Sequence, residues 1–246
     1  MFKGAVTFVA AIKGNGLKFE SFEFNPDEAS VEKVDIVGQN GEEIRTTVYL
    51  SSVASHDEGR ALAAKVTEKA LDRMSIRHNL AIEKARMTED QFSPLNSKPG
   101  VLEVAAGSVV CVGFAAKLVL GIPPAELKAE LEKPSLPGED YFGLFRSACQ
   151  STGPVEAFMH LYNILLMLRK DQAGVDAFII TKDPTVPQTP QPGKPKVTET
   201  VYTRLRNELG HHRAGVNLDN TKAEMATRLG GLMSLTAQAI QLCNSG

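Results

Sequence analysis

Around one turn, residues 34 to 50 repeat a single pattern. Val34 and Ile36 lead into Asn40-Gly41, after which Ile44, Thr46, Val48 and Leu50 alternate with Arg45, Thr47 and Tyr49. A period of two sends successive side chains to opposite faces of a strand, so this stretch predicts a half-buried β-strand. Asn-Gly is the pair that a tight hairpin turn favours. Just before it, residues 4 to 13 and 17 to 24 are rich in Val, Phe and Ile around Lys13-Gly14-Asn15-Gly16, which predicts a first hairpin. A lone Gly-x-Gly in that setting reads as a turn and not as a phosphate loop. The first fifty residues therefore predict a small antiparallel sheet.

After residue 54 the period changes. Ser55 and Glu58 have capping-box spacing, and Leu62, Val66, Ala70 and Met74 recur every four residues, predicting a helix to about Arg77. Residues 80 to 87 and 100 to 120 are expected as further strands, with Ser93-Pro94 and Pro99-Gly100 as turns. From Pro123 onward helices are expected at 124 to 132, 138 to 149 and 154 to 170. In the last of these, Pro154 suits a first helical turn and Thr152 a cap. Its stripe of Phe158, Leu161, Tyr162, Leu165 and Leu168 faces a core, while Glu156, His160 and Asn163 form a polar side. Residues 183 to 198 carry five prolines and predict an extended loop. A final helix is expected over 221 to 242, opened by Thr221 and Glu224. The fold class is α+β: an N-terminal antiparallel sheet with one long helix over 1 to 122, then a helical bundle over 123 to 246.

Charge narrows the partners. With 27 Lys+Arg against 29 Asp+Glu, no global field recruits a polyanion, so any such partner must use a local patch. Arg73, Arg77, His78, Lys84 and Arg86 gather positive charge, diluted by Asp72 and Glu83, and read as a solvated face. Cys111, Cys149 and Cys243 are an odd set without paired spacing, which fits a reducing, cytoplasmic setting. The apolar run GSVVCVGFAAKLVLGIPP contains Lys117 and is too short for an uncharged span, so no membrane partner is expected.

The chemistry concentrates in TRLRNELGHHRAG, residues 203 to 215. On a helix turning about 100° per residue, Val201, Leu205 and Leu209 form the buried stripe. Two polar stripes remain beside each other, Glu199-Tyr202-Arg206 and Thr203-Asn207-His211. Arg206 and His211 are not in register, yet a long guanidinium reaches an imidazole one turn away. An imidazole exchanges protons near neutral pH, a guanidinium holds a phosphate, and an amide orients either; these are the parts for metal-independent phosphodiester cleavage. His211 and His212 point about 100° apart and lack a third ligand at suitable spacing, so neither a metal nor a cofactor is expected. His212 is expected on the packing side.

The stretch Arg206-Asn207-Glu208-Leu209-Gly210-His211 resembles the hallmark of the HEPN domains (higher eukaryotes and prokaryotes nucleotide-binding): an Arg followed by Asn, three residues and a His. The resemblance covers roughly residues 140 to 246 and implies two helical hairpins in an all-α bundle. It also implies a homodimer in which two Arg-and-His motifs meet as one RNA-cleaving or RNA-binding site. His211 would then be the general acid/base, Arg206 the phosphate holder and Asn207 the orienting group. Glu199 and Tyr202, two turns and one turn before Arg206, are substrate-binding candidates, together with Arg213, which falls back near Arg206. The N-terminal part would sense or recruit. The longer string ETVYTRLRNELGHHRAGVNLDNTKAEM also resembles the C-terminal part of methylamine utilisation proteins of the MauJ type, which implies no defined chemistry. The competing expectation is a noncatalytic dimeric accessory protein in which Arg206 to His211 form a structural polar network.

Overall fold

A computed structural model describes residues 1–13, 16–39, 41–95, 119–134, 138–211 and 215–243. Its elements begin β1 (Phe2–Lys13), β2 (Gly16–Lys18), β3 (Phe22–Phe24), β4 (Val31–Gln39), β5 (Glu43–Val53), α1 (His56–His78), β6 (Ala81–Ile82), β7 (Arg86–Pro94), β8 (Val119–Gly121) and α2 (Pro124–Leu131). They continue as α3 (Asp140–Cys149), α4 (Pro154–Arg169), α5 (Gln172–Lys182), β9 (Gln188–Gln191), β10 (Lys194–Thr200), α6 (Val201–Gly210) and α7 (Leu218–Cys243). The fold is α+β, with an antiparallel sheet in the N-terminal part and most helices in the C-terminal part. Two compact units emerge, Met1–Leu71 with Glu83–Pro134, and Asp72–Ile82 with Ser135–Gly246. This division differs from the expected cut at 122, because α2 belongs to the first unit and the last turns of α1 to the second.

In the first unit β1 pairs antiparallel with β5 through Val6↔Val48 and Ala10↔Ile44, and with β7 through Val6↔Asp90. The expected β4–β5 hairpin forms, with Val34 opposite Val48 and Gln39 opposite Glu43, and Gly41 takes a φ of 75° at the turn. The alternation in β5 works as read: Ile44, Thr46, Val48 and Leu50 are buried. On the other face Thr47 is buried as well, its hydroxyl 3.2 Å from that of Thr7 on β1.

The expected first hairpin does not form. The run 17 to 24 splits into β2, which pairs parallel with β8, and β3, which pairs antiparallel with β4. Both edges of β1 are taken by longer strands, whose ladders satisfy more backbone groups than a three-residue neighbour can. The turn residues Gly14 and Asn15 lie outside the described residues, as do Pro99, Gly100, Cys111 and most of the strand expected over 100 to 120. Residues 80 to 87 contribute β6 and the start of β7. The capping box of α1 is present: Ser55 Oγ accepts from Glu58 N at 3.1 Å, and Glu58 accepts from Ala54 N at 2.9 Å.

The second unit has its own core. Phe145, Phe158, Leu161, Tyr162 and Leu165 are fully buried, at about 1.5–3 kcal/mol for each large apolar side chain. Two buried cations are paired within it. Arg73, expected on a solvated face, is 5% exposed and bonds Glu139, and Arg146 donates to Asp72 at 2.8 Å and to the Ile82 carbonyl at 2.9 Å. Removing one partner of such a pair would strand a buried charge.

Three local expectations change here. Thr152 does not cap α4; Gly153 holds that position and Thr152 Oγ1 bonds Glu156 instead, at 3.2 Å. The proline-rich stretch is an antiparallel hairpin, β9–β10, turning at Gly193 with φ 76°. A two-stranded ribbon has outward N–H groups that no ladder needs, so Pro190 and Pro195 cost it little. Finally α7 starts at Leu218 and not at Thr221, because Asn217 Oδ1 accepts from Asp219 N at 3.0 Å and Asn220 N at 3.2 Å.

Candidate functional site

The site is built on α6, and its placement starts at the cap. Thr200 ends β10 and caps α6, its hydroxyl accepting from Thr203 N at 3.4 Å. Asp176, 7% exposed on α5, accepts at one oxygen from Thr200 N at 3.0 Å, Thr200 Oγ1 at 2.7 Å and Thr203 Oγ1 at 2.6 Å. Thr203 in turn lies 2.8 Å from the Tyr162 hydroxyl of α4. Burial, opposed in part by the Thr203 hydrogen bond, pushes the Tyr162 phenol up to about 12. At neutral pH that hydroxyl stays protonated.

One turn further on, the motif closes on itself. Arg206 Nη1 lies 3.0 Å from Asn207 Oδ1 and 3.0 Å from His211 Nε2. A guanidinium only donates, so in this contact Nε2 is the acceptor. His211 is not helical. It sits at the C-cap with φ −114°, its backbone N–H on the Asn207 carbonyl at 3.0 Å, and that backbone turn brings the ring back toward Arg206.

Asn207 is 2% exposed, and its amide nitrogen donates to Gln172 Oε1 and Glu199 Oε2, both at 3.2 Å. The two polar stripes are largely buried: Glu199, Tyr202, Thr203 and Asn207 are all inside. Arg206 lies 6.0 Å from the Tyr162 ring centre, and its Nε is buried without a partner among the described residues. Nη1 is spent on Asn207 and His211, which leaves Nη2 as the edge of the guanidinium for an anion.

Of the expected substrate-binding residues, Glu199 joins the site through Asn207. Tyr202 does not. Its ring stacks on Phe158 with centroids 6.2 Å apart, and its hydroxyl is 2.4 Å from where a Cβ on Gly231 would stand, so it packs between α4 and α7. The reason is angular: Tyr202 is one residue past Val201 on the buried stripe, and a large ring goes with the core. Arg213 and His212 lie outside the described residues. Behind the site Arg204 donates to Glu208 at 2.8 Å and Glu224 at 2.7 Å, and Glu208 accepts from Thr221 at 2.8 Å, tying α6 to α7.

Gln172 and Asp176 are functional neighbours that the motif does not announce. They come from α5, whose cap was readable: Asp171 Oδ1 accepts from Gly174 N at 2.7 Å, the Asp-x-x-Gly arrangement of a helix start. Among the described residues no three His, Cys, Asp or Glu side chains converge as a metal site, and no helix is long and apolar enough to cross a membrane. An imidazole beside a guanidinium that a buried amide orients can move a proton and stabilise an anion at one point. No family model, curated protein or solved structure matches the chain.

Proposed function

We propose that the second unit is an RNA-binding, metal-independent endoribonuclease module of the HEPN kind, acting in the cytoplasm as a homodimer. The observation that carries the reading is the 3.0 Å contact between Arg206 Nη1 and His211 Nε2, made around a buried Asn207. When a phosphate draws the guanidinium away, Nε2 is released as a base. It then takes the proton of a ribose 2′-hydroxyl, whose oxygen attacks phosphorus while the bond to the 5′-oxygen breaks. The leaving oxygen collects a proton from the second copy's imidazole in its protonated, imidazolium form, which exchange with solvent restores, and both guanidinium groups neutralise the charge that builds on phosphorus.

The test is cleavage of mixed RNAs in excess chelator by the wild type, His211→Ala and Arg206→Ala. Chelator-resistant cleavage lost in both variants is the expected result. Cleavage that survives both substitutions removes this site from the chemistry. For the dimer, sedimentation across a concentration series that stays monomeric into the high micromolar range counts against a composite site.

A second reading has its own support. Asn207 is buried and its side chain is engaged by Gln172, Glu199 and Arg206, as a structural network would be. In that reading the chain is a noncatalytic dimeric accessory protein, and RNA is untouched by all three proteins.

A further inference from the structure

A cleft of about 480 Å³ opens between α5 and the β9–β10 hairpin, and one of its lining residues, Gln172, is hydrogen-bonded to Asn207 of the motif. It is within the size range of sites that hold small organic ligands. One wall is the face of α5 on which Ala173, Ala177 and Ile180 recur at helical spacing, with Gln172 and Asp176 on the adjoining stripe. Two of the three apolar residues are alanines, so the wall is flat. The opposite wall is Gln191, Val197 and Thr198. Consecutive strand residues normally point to opposite faces, but the pairing of β10 shifts between Lys194 and Thr198, and this irregularity lets both Val197 and Thr198 border the cleft. Val197 is 47% exposed there, an apolar surface without a cover.

The hairpin that forms this wall is basic: from Gln188 to Thr198 the only charged residues are Lys194 and Lys196, both exposed, and neither has an ion pair among the described residues. Gln172 links the cleft to the site, since its Oε1 accepts from Asn207 at 3.2 Å while its Nε2 has no partner among the described residues. A flat apolar slot edged by two amides and a carboxylate, with two exposed lysines on the strand that forms one wall, matches one class of ligand. An unstacked base offers a planar face and hydrogen-bonding edges, and the strand that carries it offers phosphates.

We propose that this cleft receives a nucleobase of single-stranded RNA whose backbone runs over Lys194 and Lys196, seating the strand for the neighbouring Arg206–His211 site. The inference rests on the RNA-directed reading above and assigns to it the part of the molecule that grips substrate. Gln172 and Gln191 meet the edges of the base, and Val197 and Ile180 sandwich its face. Duplex RNA is excluded because its bases are stacked.

Anisotropy of fluorescein-labelled single-stranded homopolymers, titrated with the full chain in excess chelator at several salt concentrations, tests this. The variants are Lys194→Glu with Lys196→Glu, and separately Val197→Asp. Each is expected to raise Kd about tenfold or more, and the double variant to flatten the salt dependence by roughly 1.4 in log–log slope, at about 0.7 per phosphate contact on a single strand. Gln191→Ala, which alters neither charge nor apolar surface, should level the preference among homopolymers and guards against misfolding of the other two. Wild-type affinity and slope in all the variants, with cleavage still lost in His211→Ala, overturn the cleft and leave the nuclease reading standing. Cleft-dependent binding without cleavage supports the cleft and removes the nuclease. Equal competition by duplex RNA, or no RNA binding by the wild type, overturns the proposal.

Discussion

Asp176→Ala should loosen α6 without touching the motif. Three donors converge on Asp176 Oδ1, the Thr200 N–H and the hydroxyls of Thr200 and Thr203. Hydrogen bonds to a charged acceptor contribute about 1.5–3 kcal/mol each, but simple addition overstates this loss. Thr203 Oγ1 keeps Tyr162 at 2.8 Å, and Thr200 Oγ1 keeps Thr203 at 3.4 Å, so both hydroxyls can re-pair. The Thr200 N–H cannot, and a stranded buried donor costs about 1–3 kcal/mol. Removing a buried carboxylate also returns part of its desolvation cost. The expected net destabilisation is about 2–4 kcal/mol. Hydrogen exchange of the α6 amides reads this without requiring both units to unfold together. Protection should fall by roughly 30-fold to 1000-fold, at about 1.4 kcal/mol per factor of ten. Asp176→Asn keeps an acceptor and should lose about 1 kcal/mol. If α6 protection in Asp176→Ala changes by less than about threefold, or if Asn is as damaging as Ala, the cap is not held by this carboxylate.

Two further outcomes follow from local geometry. Gly174→Ala would place a Cβ 2.4 Å from the Arg169 carbonyl, so a change that normally stabilises a helix interior by about 1 kcal/mol should instead cost about 2 kcal/mol or more in urea melts; Gly230→Ala in α7, with nothing within 4 Å, should carry the opposite sign. The phenol of Tyr162 is raised from 10.0 to about 12, so the unfolded chain ionises first: its contribution is intact below pH 10, is lost as pH rises toward 12, and Tyr162→Phe should shallow that alkaline loss.

What the sequence discloses and what it hides differ by distance along the chain. The capping box of α1, the alternation of β5 and the stripe of α4 are local patterns whose cause and consequence lie within a few residues. Partner choice is not local. Asn-Gly announces that the chain turns, but β1 takes β5 and β7 because they offer longer ladders, and no pattern inside residues 4 to 24 contains that competition. Proline content misdirects for a related reason, since it reports a missing donor without saying whether the position ever needed one. The Arg206–His211 approach was readable from spacing, except that it depends on the helix ending at Gly210. The burial of Asn207 and Glu199 was not readable. Asn207 meets Gln172, and Thr200, next to Glu199, meets Asp176; both partners stand on another helix, 35 and 24 residues upstream.

Thr200 is the last residue of β10 and the cap of α6, and Val201 already accepts helical geometry. There is no spacer between ribbon and helix. A displacement of the hairpin therefore has no slack in which to dissipate, and it arrives at the helix as torque on its first turn. The same helix ends at Gly210, and His211 is the next residue. In mechanical language the hairpin is the handle and the imidazole the tip, with the Asp176 carboxylate as the pin at the joint between ribbon and helix.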